Sequence, residues 1–146
     1  MIAIGCDHGG YQLKQAVIRH LGDRGIDFHD FGTYSEESCD YPEYGEAVGR
    51  AVASGECELG IVICGTGIGI SIAANKVRGV RAAVCGDCFS AEMCRRHNNA
   101  NVLALGGRVI GPGLALKIVD IFLSTGFDGG RHARRVAKIS EIEDRS

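Results

Sequence analysis

The chain has 146 residues, 45% of them hydrophobic and 23% charged, with a formal net charge of −2 at pH 7. That composition fits one domain with a substantial core, and it argues against a nucleic-acid or anionic-membrane surface as the main partner. No apolar run approaches the ~18 residues needed to span a bilayer. The start, MIAIGCDHGG, lacks the basic flank of a signal peptide, and the seven cysteines read as reduced thiols of a cytoplasmic protein.

Ile2 to Cys6 is expected to be a short buried strand. Asp7-His8-Gly9-Gly10 breaks it, and a helix follows from Tyr11 to Asp23 with an apolar stripe of Leu13, Ala16, Val17 and Leu21. A weaker strand runs from Ile26 to Phe31. Gly32 to Asp40 is polar loop. Pro42 suits the first turn of a second helix that ends at Gly55, with Asp40 as its cap. Leu59 to Cys64 is a third apolar strand. Gly65, Gly67 and Gly69 then turn the chain into a helix over Ile70 to Lys76. Val80 to Cys85 is a fourth strand, and Phe89 to His97 a helix capped by Ser90 or Asp87. Val102 to Leu105 is a fifth strand. Pro112 to Ser124 is a helix, and after the glycines between 126 and 130 a basic helix covers about His132 to Glu143.

Five strands alternating with helices imply a single α/β domain over residues 1–146. The expected fold is Rossmann-like, three layers (α/β/α) around a five-stranded parallel sheet. Ligands bind beyond the carboxyl ends of such strands. That rule gathers Asp7, His8, Cys64, Thr66, Gly86 and Asp87. It leaves His97 and Asn98 at the opposite end, so a second subunit is expected to supply them if they share the same chemistry.

The segment LGIVICGTGIGISIAANK is the centre of the functional reading. A strand, a glycine turn and a helix aim backbone N–H groups at an anion. The glycine spacing matches neither the dinucleotide fingerprint, since Ile70 stands where glycine is required, nor a Walker A loop. A small oxyanion or carboxylate cradle remains, against the alternative of a tight turn with no ligand. Cys64 sits at the start of this turn, where the helix dipole favours a reactive thiol suited to general-base work. Its alternative is an inert core cysteine. Asp7 and His8 suit a sugar hydroxyl and a phosphate, with Asp7 as a plain cap the competing role. Arg131 and Arg135, four apart, share a helix face and suit a phosphate, with a solvated basic face as the alternative. His97-Asn98-Asn99, taken on its residues alone, reads as a helix C-cap. Cys85, Cys88, Cys94 and His97 have zinc-like spacing, but a strand and a helix would carry them, and such spacings arise by chance in a cysteine-rich chain. No metal and no organic cofactor are expected.

The segments GCDHGGYQLK, YPEYGEAV, CGTGIGISIAANK, CFSAEMCRRHNNANVLALGGRVIG and GGRHARRVAKI, in that order from Ile2 to about Ile142, resemble the ribose-5-phosphate isomerase B family. The wider group includes galactose-6-phosphate and allose-6-phosphate isomerases. The resemblance implies a cofactor-independent aldose–ketose isomerase of carbohydrate metabolism, in the pentose phosphate pathway, acting on ribose 5-phosphate and ribulose 5-phosphate. In that family Cys64 matches the base. Gly65, Thr66, Gly67, Ile68 and Gly69 match an anion hole for a cis-enediolate. His97 matches the residue that opens the furanose ring. Asp7, His8, Asn98, Arg108, Arg131 and Arg135 match substrate- and phosphate-binding positions. The resemblance also implies a homodimer or tetramer with shared active sites and the C-terminal helix at the dimer interface. Asn99 stands where many members have Asp. A hexose-phosphate isomerase of the same group and a non-catalytic phosphometabolite-binding module are the competing functions.

Overall fold

A computed structural model describes all residues from Met1 to Ser146. Five strands form one sheet: β1 (Ile2–Cys6), β2 (Phe28–Asp30), β3 (Leu59–Cys64), β4 (Ala82–Val84) and β5 (Val102–Gly106). All pairs are parallel, in the order β2-β1-β3-β5-β4. Six helices accompany them: α1 (Tyr11–Asp23), α2 (Tyr41–Ala53), α3 (Ile68–Asn75), α4 (Cys88–Arg96), α5 (Pro112–Ser124) and α6 (Arg131–Asp144).

The central strands are apolar on both faces because each face carries a helical layer. Ile2, Ile4, Cys6, Ile61, Ile63, Leu103 and Leu105 pack on one side with Leu13, Val17 and Leu21 of α1, Ala91 of α4, and Ile118 and Phe122 of α5. Ala3, Val62, Cys64, Val102 and Ala104 pack on the other with Val48 and Val52 of α2 and Ile70 and Ala74 of α3. The expected Rossmann-like three-layer α/β/α domain is therefore present. One exchange marks its topology: β5 lies beside β3, and β4 is pushed to the edge.

The edge strands are shorter than the sequence suggests. Ile26 to Phe31 narrows to Phe28–Asp30, and Val80 to Cys85 narrows to Ala82–Val84. Each has a partner on one side only, and pairs with only three residues of it: β2 with Ile2–Ile4 and β4 with Val102–Ala104. The Arg81 amide instead donates to the Asn101 side chain. The third helix starts two residues earlier than expected, at Ile68, and the last at Arg131. Asp40 occupies the N-cap of α2 but makes no capping bond through its side chain. Of the two cap candidates for α4, Asp87 holds the position and accepts from the Ser90 amide at 2.7 Å, while the Ser90 hydroxyl donates to its other oxygen.

Lys14 of α1 is fully buried, which the apolar stripe does not anticipate. Its ammonium pairs with Asp30 at 2.7 Å and donates to the Thr33 carbonyl, joining α1 to the segment after β2. The nearby Cys6 thiol is pushed up to about 12 by burial, partly offset by Lys14.

The C-terminal helix differs from the other five in having no buried residue. It is pinned at its ends. The Asp128 amide donates to the Arg96 carbonyl at 3.1 Å, and Arg78 pairs with Asp144 while the Gly79 amide donates to Glu143 at 2.9 Å. Between these pins a cleft of about 770 Å³ separates α6 from the body, lined by Arg78, Arg81, Asn98, Ile139 and Ile142 among others.

Candidate active site

The strand order reverses between β1 and β3, and the crevice beyond their carboxyl ends is where an open parallel sheet binds ligands. The chain places Asp7 and His8 directly after β1 and Cys64 at the end of β3. The neighbouring turn after β5 brings in Arg108. Its amide donates to the Gly65 carbonyl at 3.0 Å, and the Gly107 amide donates to the Cys64 carbonyl at 2.8 Å. Three connections that are distant in sequence are thus stitched into one rim.

Cys64 is 5% exposed. Its Sγ accepts the Gly67 N–H at 3.1 Å, which turns the sulfur toward the loop that follows it. Gly67 is the N-cap of α3 and takes a left-handed conformation, φ +80°. A Cβ at this position would lie 2.9 Å from the Leu105 carbonyl carbon, so both the turn and the packing demand glycine. Thr66 Oγ1 accepts the Ile68 N–H at 3.1 Å and so caps the first turn. The N–H groups of Gly65, Thr66 and Gly69 donate to no protein acceptor. Of the five loop residues expected to form an anion hole, Gly67 and Ile68 therefore turn their amides onto the loop itself, and the other three amides are free for an anion. Ile68 presents an exposed side chain.

Asp7 is nearly buried and accepts the Gly10 N–H at 3.1 Å, capping a single 3-10 turn over His8–Gly10. The capping role considered for it is real, and it occupies one carboxylate oxygen. The other takes no donor from the chain. His8 Nδ1 accepts the Cys39 amide at 3.2 Å, so the proton of the neutral ring sits on Nε2, which is then a donor.

Two residues here escaped the sequence reading. One is Cys39, whose contribution is a backbone amide and so leaves no side-chain signal. The other is Tyr41, whose ring stands so close to Gly69 that a Cβ there would lie 2.7 Å from it. The signal for Tyr41 was an aromatic at the first turn of α2, opposite a third glycine that no turn geometry requires.

The second group of expected residues lies elsewhere. His97 caps the C-terminus of α4, so the capping role considered for it is also present. Asn98 follows it. Asn99 is the one non-glycine residue with positive φ, +46°, a conformation asparagine tolerates better than most. The turn is anchored from outside. Arg81 Nε donates to the Asn99 carbonyl at 3.0 Å, and Arg95 donates to the carbonyls of Ala100 and Thr125. Arg131 and Arg135 belong to the first turns of α6, beside His132. This group sits at the amino edge of the sheet, a strand length, about 16 Å, from the Cys64 edge. One chain therefore does not bring His97, Asn98, Arg131 and Arg135 to Cys64.

The cysteines of zinc-like spacing do not converge. Cys85 donates to Cys94 across 3.9 Å. That hydrogen bond, with burial, pushes the Cys85 thiol up and keeps it protonated. Nowhere do three or more His, Cys, Asp or Glu side chains gather as they would around a metal ion. No helix is long and apolar enough to cross a membrane.

A model of the family described as Ribose/Galactose Isomerase matches residues 2–139. The chain is 54% identical to ribose-5-phosphate isomerase B of Escherichia coli (strain K12), over 99% of this chain and 97% of that one. It superposes on the solved ribose-5-phosphate isomerase B of Clostridium thermocellum with a TM-score of 0.98 at 60% identity, covering 99% and 97% of the two chains. It superposes on the enzyme of Mycoplasma genitalium with bound ribulose-5-phosphate with a TM-score of 0.94 at 41% identity, covering 99% and 97%. The doubly wound sheet, the glycine turn at Cys64 and these matches along nearly the whole chain lead to one conclusion: the chain belongs to the ribose/galactose isomerase family.

Proposed function

We propose that this chain is a sugar-phosphate isomerase that interconverts ribose 5-phosphate and ribulose 5-phosphate through a cis-enediolate, with Cys64 as the base. The observation that carries this reading is the Cys64 sulfur at the β1/β3 crevice, directly beside three unpartnered loop amides.

A proton next to a carbonyl is weakly acidic. Its removal needs a positioned base and stabilisation of the oxygen that becomes negative. From the open aldehyde, Cys64 takes the C2 proton, and the electron pair moves through the C1–C2 bond onto O1. The amides of Gly65, Thr66 and Gly69 face that oxygen, and each such donor is typically worth about 3 kcal/mol in the transition state. The O2 hydroxyl proton passes to O1, the proton held by Cys64 returns at C1, and O2 becomes the carbonyl. C1 is reduced as C2 is oxidised within one molecule, so the step balances with no redox partner and calls for no cofactor. Asp7 and His8, through Nε2–H, bind hydroxyl and phosphate oxygens, and Arg108 adds positive charge at the same rim.

Ribose 5-phosphate is mostly a closed furanose, so a further acid–base group must open it. His97 fills that role in this reading, with Asn98, Arg131 and Arg135 holding substrate and phosphate. Because they lie at the other edge of their own sheet, they serve the Cys64 crevice of a second copy. The homodimer, or a tetramer built from it, places α6 at the interface. The support is that α6 buries nothing within its own chain and exposes Ile139 and Ile142.

The decisive experiment is an isomerase assay on ribose 5-phosphate, galactose 6-phosphate and allose 6-phosphate with chelator present, run on the native chain and on Cys64→Ala. Preference for the pentose, with turnover lost in Cys64→Ala and the circular dichroism unchanged, is expected. Preference for a hexose phosphate would keep the chemistry and change the substrate. Full activity in Cys64→Ala would remove the cysteine from the mechanism, and phosphosugar binding without turnover in the native chain would leave only a binding module.

A further inference from the structure

The imidazoles of His97 and His132 stack face to face, with ring centroids 4.1 Å apart and planes within 9°. Neither ring nitrogen of His97 has a hydrogen-bond partner in the chain, and the same holds for His132. The backbones beneath both rings are firmly held. The His97 amide donates to Met93 at 2.8 Å, the His132 amide to Gly129 at 3.0 Å, and the Asp128 amide to Arg96 at 3.1 Å. The Arg96 guanidinium also bridges Glu92 and Asp128. The end of α4 and the start of α6 therefore form one rigid frame. Within it, no hydrogen bond orients the His97 ring, and its face lies on the His132 ring.

We infer that His132 is a positioning residue for His97: its ring is a platform that fixes the plane of the His97 imidazole for opening the sugar ring. The inference rests on the ring-opening role of His97 proposed above. A histidine that moves a proton between a ring oxygen and O1 needs both nitrogens accessible and its plane fixed. A hydrogen bond to one nitrogen would fix the ring but consume an edge. A stack fixes the plane and leaves both edges free.

The electrostatics suit a platform. Two imidazolium ions 4.1 Å apart repel, so at most one ring of the pair carries charge comfortably. Partial burial, then His97, Arg131 and Arg135, hold the His132 imidazole below the usual histidine range, with Asp128 opposing. Arg96, from α4, faces Asp128 rather than the rings. Around neutral pH the His132 ring is thus uncharged, and an uncharged aromatic face does not oppose a proton passing through the ring stacked on it.

The test compares His132→Ala and His132→Phe with the native chain in two reactions. One is conversion of ribose 5-phosphate to ribulose 5-phosphate. The other is exchange of the C1 proton of ribulose 5-phosphate with heavy water. With its 5-hydroxyl esterified, that ketose cannot close a furanose on C2, so the exchange reports the Cys64 step without ring opening. His132→Ala is expected to lose about 10- to 100-fold in isomerisation, the scale of a misplaced catalytic group. Its proton exchange should stay close to native, and His132→Phe, which keeps an aromatic face, should recover most of the isomerisation. Equal loss in both reactions, loss persisting in the Phe variant, or no loss in the Ala variant would overturn the platform. His97→Ala separates the two ideas. If it isomerises at the native rate, the reading of His97 itself fails. If it is inactive on ribose 5-phosphate while His132→Ala is not, only the present inference fails.

Discussion

Gly67 shows how much of the candidate site one backbone position carries. Its left-handed turn points the following helix away from Cys64, yet sends its own amide back onto the sulfur. In Gly67→Ala the residue would sit in a conformation costing an L-amino acid about 1–2 kcal/mol. It would also push a methyl group toward the Leu105 backbone, which cannot yield as a side chain would. Denaturant unfolding of this variant should show a loss at or above that range, with activity falling further than stability because the loop amides move. Stability unchanged from native would mean the turn is not as constrained as its φ implies. The sequence reading reached this loop because three glycines beside a cysteine are visible as letters. It did not reach Cys39, whose part is played by an amide, or the burial of Lys14, since a lysine inside a helix looks solvent-facing until its partners from β2 and the loop beyond are in place.

At the scale of elements, α4 links a cap at one end to a candidate catalytic residue at the other. Asp87 accepts the Ser90 amide and hydroxyl, and these bonds hold its carboxyl below the usual aspartate range. A group whose folded pKa is depressed stabilises the protein above its unfolded pKa, and that stability is lost as pH falls through the folded value. Asp87→Ala should therefore lower Tm at pH 7, Asp87→Asn should lower it less because a cap acceptor remains, and the native-to-Ala gap should close as the buffer is taken down through the acid range. A gap that persists at low pH would show that the carboxylate is not its source. The sequence located this helix to within a residue at each end, and likewise β1, β3, β5 and α5, because each has a long apolar pattern against a continuous neighbour. It overextended β2 and β4. Their apolar letters continue past the point where a one-sided ladder stops, and strand order, which makes them edges, is not written in local pattern.

For the whole molecule, the two halves of the candidate site lie at opposite edges of one sheet, and in a two-fold dimer each copy would lend one half to the other. The expectation of a second subunit follows from topology alone, because a helix leaving the carboxyl end of β4 must deliver His97 to the amino end of β5. The arrangement makes a prediction that no single-chain site can share. Cys64→Ala and His97→Ala homodimers should each be inactive. When mixed in equal amounts and allowed to exchange subunits, they form heterodimers in which one crevice carries both substitutions and the other carries neither. Random exchange makes half of all dimers mixed, so activity should return to about a quarter of native, as two-fold symmetry requires. Recovery should follow the rate of subunit exchange and disappear if the chains are cross-linked first. If His97 served the Cys64 of its own chain, every crevice in the mixture would lack one group or the other, and no mixing ratio would restore turnover.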